Sequence, residues 1–290
     1  MDQAATLRQI SRQKKVSSGS RAKEAAAGHK KTPCVISITS GKGGVGKTNI
    51  TANLAYLLAR MKKRTLVLDA DCGLANIDLI LGLTPAYNLH HVLKGERSLR
   101  ETIIDGPGGI KILPSASGIQ EISTLSTNQK LVLQDEFKAL QSPPDFVLID
   151  TSAGIAENVM YFNMIAKEIL VVVTPEPTSL TDAYALIKIL YRKHAKKRFR
   201  LLVNMVKSAD EAKEVYLRLA QATNHFLHLA IEHLGFVVYD ENMSKAVKKQ
   251  KLLAELYSDS PSVKCLREVA EKLCQTSVDF ENNGIAGLFD

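Results

Sequence analysis

Short apolar runs alternate along this chain with stretches whose apolar residues recur three or four positions apart. That alternation predicts an α/β protein with a mostly parallel central sheet and helices on both faces. The first run, Cys34-Val35-Ile36-Ser37-Ile38-Thr39, reads as a buried strand. Ile50, Leu54, Leu57, Leu58 and Met61 follow it at helical spacing. Further strands are predicted over 64–71, 110–114, 145–150, 168–174, 199–206 and 234–240. Helical faces are predicted over 87–100, 126–140, 178–190, 241–256 and 262–274. Residues 13–31 are mostly Ser, Ala, Lys and Gly, with no large apolar residue after Val16, so this stretch is expected to be disordered. The chain therefore divides into an appendage (1–31), an α/β domain (32–275) and a tail (276–290).

Composition changes this picture little. The 290 residues are 45% hydrophobic, enough for a sizeable core. No run approaches the 18 apolar residues of a membrane span, and the N-terminus lacks the apolar segment of a secretory signal. Cys34, Cys72, Cys265 and Cys274 have no C-x-x-C spacing, which argues against a disulfide framework or zinc site and fits a reduced cytoplasmic setting. The net charge is +8, but residues 1–32 carry eight Lys/Arg against Asp2 and Glu24. The positive charge is thus mostly a property of the appendage.

The chemistry starts after the first strand. Ser40-Gly41-Lys42-Gly43-Gly44-Val45-Gly46-Lys47-Thr48 is a complete G-x-x-x-x-G-K-[ST] match, set between a strand and a helix. Its glycines let backbone N–H groups turn inward on an anion, and the helix N-terminus adds partial positive charge. The expected nucleotide contacts are Gly41, Lys42, Gly43, Gly44, Val45, Gly46, Lys47, Thr48 and Asn49. Lys47 should reach the β/γ-phosphates, and Thr48 should hold Mg²⁺. Asp69 and Asp71 end the second strand on the side where open α/β sheets bind ligands. Asp71 is placed to accept a hydrogen bond from the water attacking the γ-phosphate, and Asp69 to support the magnesium shell. Phe146-Val147-Leu148-Ile149-Asp150 reads as a Walker B strand, so Thr48, Asp71 and Asp150 form the candidate magnesium set. Asn204, at the end of a late strand, can read an adenine edge, and Val238, Tyr239 and Asp240 can offer contacts to the base. The adjacent His90 and His91 cannot both face one metal from a helix and read as surface or packing residues.

Lys42, a second lysine inside the loop, narrows the class. The K-G-G-V-G-K-T form resembles the deviant Walker A loop shared by division-inhibitor, partition and nitrogenase-iron-protein ATPases. In that group the extra lysine crosses a dimer interface to the partner's nucleotide. Residues 32–275 resemble MinD-type ATPases over their switch and Walker B segments. Asp2-Gln3-Ala4-Ala5-Thr6-Leu7-Arg8 resembles the D-Q-A-x-x-L-R motif of the FlhG (YlxH/FleN) flagellar number regulators. The segments 69–78 and 174–184 are similar to the same family.

This resemblance implies a slow ATPase that binds ATP and Mg²⁺ and dimerises face to face, with Lys42, Lys47 and Asp71 as catalytic residues. It implies Lys42, Glu176 and Asp182 at the dimer interface. It also implies that Asp2, Gln3, Ala4, Leu7 and Arg8 stimulate FlhF, a signal-recognition-type GTPase, and that the protein docks flagellar C-ring components. The expected location is the cytoplasm, with peripheral attachment to the inner face of the cell membrane as the further expectation. The tail argues against that attachment. Ile285, Leu288 and Phe289 share a face, but Gly284 and Gly287 interrupt it and Glu281 and Asp290 flank it with the wrong charge for anionic lipid. Ser152 departs from the family, many of whose members carry Pro there.

A partition- or division-type positioning ATPase that binds DNA or membrane is the alternative, with residues 192–200 as the candidate patch for DNA phosphates or anionic lipid headgroups, although DNA is not expected as a partner. A nitrogenase-type reductase is set aside because 150–170 hold no cysteine, and an iron–sulfur scaffold because Cys265 and Cys274 lie too far apart. A small-molecule kinase would leave Lys42 without a role.

Overall fold

A computed structural model of the protein describes residues 33–71, 77–115, 126–140 and 142–282, with side chains to residue 275. In chain order the first half contains β1 (Cys34–Ser40), α1 (Lys47–Arg60), β2 (Thr65–Ala70), α2 (Ile77–Leu81), α3 (Leu89–Leu93), α4 (Leu99–Thr102), β3 (Ile104–Asp105), β4 (Lys111–Leu113) and α5 (Thr127–Ala139). The second half contains β5 (Phe146–Ala153), α6 (Glu157–Ile165), β6 (Glu168–Val173), α7 (Pro177–His194), β7 (Phe199–Val206), α8 (Ala209–Leu227), β8 (Glu232–Val238), α9 (Glu241–Lys248), α10 (Leu253–Leu256) and α11 (Pro261–Asn282).

The strands form one sheet in the order β3-β4-β2-β5-β1-β6-β7-β8. Every pairing is parallel except β3 with β4. The chain runs outward from β1 in one direction through β2 and in the other through β6, β7 and β8, and β5 fills the gap beside β1. This reversal of direction is where open α/β sheets hold ligands, at the C-terminal ends of the strands.

Period-two alternation divides each central strand between two cores. Ile36, Ile38, Val67, Leu148, Leu170 and Val172 pack on one face beneath α1 and α11. Val35, Leu66, Leu68, Val147 and Ile149 pack on the opposite face against α3 to α6. Ile169, Val171 and Val173 continue that second face against Ala183 and Ile187 of α7 and Val215 and Leu219 of α8. Both faces are covered, so the strands read as near-continuous apolar runs.

Two predicted helices are interrupted. The 87–100 stretch is two short helices, each with its own capping box, from Asn88 and from Ser98. Gly95, at φ 71°, turns the chain between them. The 241–256 stretch breaks into α9 and α10, with Gln250 at φ 53° in the connection. Helices α6 and α8 were not predicted. A signal for α8 exists: Ser208 precedes Glu211 by three residues, and its side chain accepts from the Glu211 N–H. Ala212, Val215, Leu219 and Leu227 then make its buried face. Helix α11 continues past residue 275 to Asn282.

Candidate nucleotide site

The loop between β1 and α1 is shaped by its neighbours. A Cβ on Gly41 would fall on the backbone of Asp182 in α7, and 2.6 Å from the Ala183 nitrogen. Gly46 caps α1 at φ 90°, and a Cβ there would lie 2.5 Å from Asn204 Nδ2. Gly44 is also left-handed at φ 78°, whereas Gly43 and Gly44 border open space. The loop is thus pressed against α7 and β7 at its two ends and open at its crown. That is the form a backbone cradle for phosphate needs.

Two lysines leave the loop in different directions. Lys47 is buried, and its Nζ donates to Ser40 Oγ at 2.8 Å. Ser40 Oγ in turn donates to the Lys42 carbonyl at 2.7 Å. Burial pulls the Lys47 ammonium below its ordinary pKa, while Asp150 and Asp71 pull it back up. Lys42 instead pairs with Glu176 and donates to Thr178 Oγ1 at 2.9 Å, both at the start of α7.

Asp150 lies in β5 beside β1, paired in register with Ile38. Burial raises its carboxyl pKa to about 6, against the opposing influence of Thr48, Lys47 and Thr51. Thr51 Oγ1 donates to Asp150 Oδ1 at 3.2 Å. Asp150 Oδ2 is buried without a hydrogen-bond partner. An orphaned buried carboxylate oxygen next to the Thr48 hydroxyl fits a hard cation held through oxygen and water. Among the described residues no cluster of three or more His, Cys, Asp or Glu could hold a metal alone.

Asp71 follows β2, and its Oδ1 accepts from Ser152 Oγ at 2.8 Å. Asp69 accepts from the Asp71 N–H at 3.0 Å and the Ile77 N–H at 3.4 Å, which braces the backbone at the end of β2.

At the far side of the loop, Asn204 Nδ2 donates to the Val45 carbonyl at 2.8 Å. Met205, at φ 59°, brings its Cε to 3.5 Å from where a Gly46 Cβ would stand. The Tyr239 N–H donates to the Val206 carbonyl at 2.8 Å, which ties the end of β8 to this rim. The Tyr239 ring is largely exposed. Asp240 caps α9 through the Asn242 N–H and accepts from Ser262 Oγ at 2.8 Å. Asn49 gives its carbonyl to Asn53 Nδ2. Its neighbourhood is anchored by the Ala254 N–H donating to Asn53 Oδ1.

The structure thus gathers Gly41 to Asn49, Asp71, Asp150, Asn204 and residues 238–240 at one end of the sheet, with Glu176 and Asp182 against the loop. Asp2, Gln3, Ala4, Leu7, Arg8, the 72–76 segment and residues 283–290 lie outside the described residues. Thr51 was missed as a site residue, and Ser152 was noted only as a departure from the family. Thr51 had a signal, since it sits one helical turn after Lys47. No helix among the described residues is long and apolar enough to cross a membrane.

Comparison with known proteins agrees with this geometry. Residues 36–253 match the CobQ/CobB/MinD/ParA nucleotide binding domain. The chain is 45% identical over 239 residues to the antiactivator FleN of Pseudomonas aeruginosa, covering 82% of this chain and 85% of FleN. It is 34% identical to the flagellum site-determining protein YlxH of Helicobacter pylori, over 88% of this chain and 87% of that protein. The septum site-determining protein MinD of Pyrococcus horikoshii, solved with Mg-ADP, superposes with a TM-score of 0.70 at 25% identity, over 85% of this chain and 98% of that one. The chain belongs to the MinD/ParA family of nucleotide-binding ATPases, in its FleN/YlxH (FlhG) branch.

Proposed function

We propose that this protein is an ATP-dependent dimerising switch that hydrolyses ATP slowly and sets flagellar number and placement. In this reading residues 2–8 stimulate an FlhF-type GTPase, and the folded domain docks flagellar C-ring components. The names of FleN and YlxH support the flagellar setting. The observation that carries the switch is the divergence of the two loop lysines. Lys47 is buried beside Asp150 and Ser40, and Lys42 is directed to Glu176 and Thr178.

The chain's own groups supply most of the chemistry. Loop N–H groups cradle the phosphates, and Lys47 neutralises the β/γ oxygens. Thr48 and Asp150 would hold Mg²⁺, which contributes charge neutralisation at the same oxygens. Asp71 accepts a hydrogen bond from the attacking water and so orients it. The Lys42–Glu176 pair is partly exposed, with side chains 35% and 60% accessible. Such pairs are worth about 0–1 kcal/mol, so Lys42 can exchange Glu176 for a partner's phosphate at little cost.

Light-scattering molar mass tests the proposal on an Asp71→Ala background that blocks turnover. A mass that doubles with ATP but not ADP, and stays monomeric when Lys42→Ala is added, is the expected result. A monomer under both nucleotides would overturn the switch.

A further inference from the structure

We infer that Ser152 is a positioning residue for hydrolysis, its hydroxyl orienting the Asp71 carboxylate toward the attacking water. The inference rests on the reading of Asp71 as the water-orienting group and adds the residue that aims it. Strands β2 and β5 are parallel neighbours, with Asp69 opposite Asp150 and Ala70 opposite Thr151. The same register, continued by one residue, sets Asp71 beside Ser152. Strand β2 ends at Ala70, whereas β5 runs on to Ala153. The donor is therefore carried by a strand and the acceptor by the first residue beyond one.

Ser152 Oγ donates to Asp71 Oδ1 at 2.8 Å. A donor fixed on one oxygen sets the rotation of the carboxylate, and hence the direction of the other oxygen. The adjacent Thr151 cannot replace it. Its hydroxyl is turned to the Ile38 carbonyl at 3.1 Å and to the Ser152 carbonyl at 3.1 Å. A proline at 152 could not make the bond at all.

In the hydrolytic step the water oxygen bonds to the γ-phosphorus as the bond to the β–γ bridging oxygen breaks, giving ADP, phosphate and a proton. Asp71 holds the water in line. A misaimed carboxylate leaves nucleotide binding intact and slows this step.

The test uses the full chain with steady-state ATP turnover, nucleotide affinity and ATP-dependent molar mass. Ser152→Ala should lower kcat about tenfold, the scale of one hydrogen bond to a charged group, with KM and dimer formation unchanged. Ser152→Thr keeps a hydroxyl on the strand and should stay within about twofold of the parent. The residual turnover left in the Asp71→Ala background should not fall further with Ser152→Ala, because a group acting through Asp71 has nothing left to aim. Full turnover in Ser152→Ala would overturn the inference. So would a Ser152→Thr loss equal to that of alanine, or a further loss in the double variant. If Asp71→Ala itself turns over normally, the assignment of Asp71 fails and the inference falls with it. An inactive Asp71→Ala beside an unaffected Ser152→Ala refutes the role of Ser152 alone.

Discussion

At Gly41 the constraint is the space a side chain would need. The position directly abuts the backbone of Asp182 and Ala183, and backbone cannot yield as the end of a flexible side chain can. Gly41→Ala should therefore displace α7 or the loop, at a cost on the order of 1–3 kcal/mol. Urea unfolding would measure that cost, and equilibrium binding of ATP should fall with it. An alanine variant with parental stability and affinity would contradict the packing described here. The glycines, Lys47 and Asp150 were legible in the sequence, because phosphate cradling demands those residue types at that spacing. The partners of Gly41 and Ser152 were not. Gly41 meets residue 182 and Ser152 meets residue 71, separations over which local pattern carries no information.

Among the elements, β6, β7 and β8 are cross-linked by charge. Arg200 of β7 pairs with Glu168 of β6 at 2.9 Å and Glu232 of β8 at 3.0 Å. The Glu168 side chain is buried and that of Arg200 is mostly covered. Burial raises the Glu168 pKa, and Arg200 acts against that rise. A carboxylate with a raised folded pKa contributes stability below its unfolded pKa and loses it as pH rises through the folded value. Arg200→Met removes the largest of the opposing charges, leaving Lys167 and Arg198, and should push the Glu168 pKa higher still. The variant should lose about 3–5 kcal/mol at pH 7, the cost of stranding a buried charge. Its deficit should shrink on acidification as Glu168 is neutralised. Unfolding curves taken between pH 7 and pH 5 would show this, and a pH-independent deficit would refute it. From the sequence alone Arg200 belonged to a basic run over 192–200. In the fold, Lys196 Nζ also turns inward, to the Ala166 carbonyl at 2.8 Å. The run is thus part structural brace and part exposed charge.

For the whole molecule, the basic run and the nucleotide site lie at opposite ends of the sheet. The former sits where α7 ends and β7 begins; the latter gathers at the C-terminal strand ends. The folded unit from residue 32 onward contains every described nucleotide residue. If the proposed function holds, deleting residues 1–31 should leave ATP-dependent dimerisation intact and abolish stimulation of an FlhF-type GTPase. Molar mass of the full and shortened chains, and GTP turnover of an FlhF-type GTPase mixed with each, would separate the two proposed roles. Undiminished stimulation by the shortened chain would remove the role assigned to residues 2–8.

Local pattern determined much of this protein. Apolar runs bounded by loops marked the seven strands beyond the two-residue β3, and helical spacing marked α1, α5, α7 and α11. The loop chemistry marked the nucleotide site. These are short-range properties, in which burial period and residue type are read within one element. The order of the strands, the pairing of Asp71 with Ser152 and the clamp of Asn204 on Val45 were decided by the tertiary structure. Each depends on which strand neighbours which and in what register, and that choice is made when two distant apolar faces are buried together.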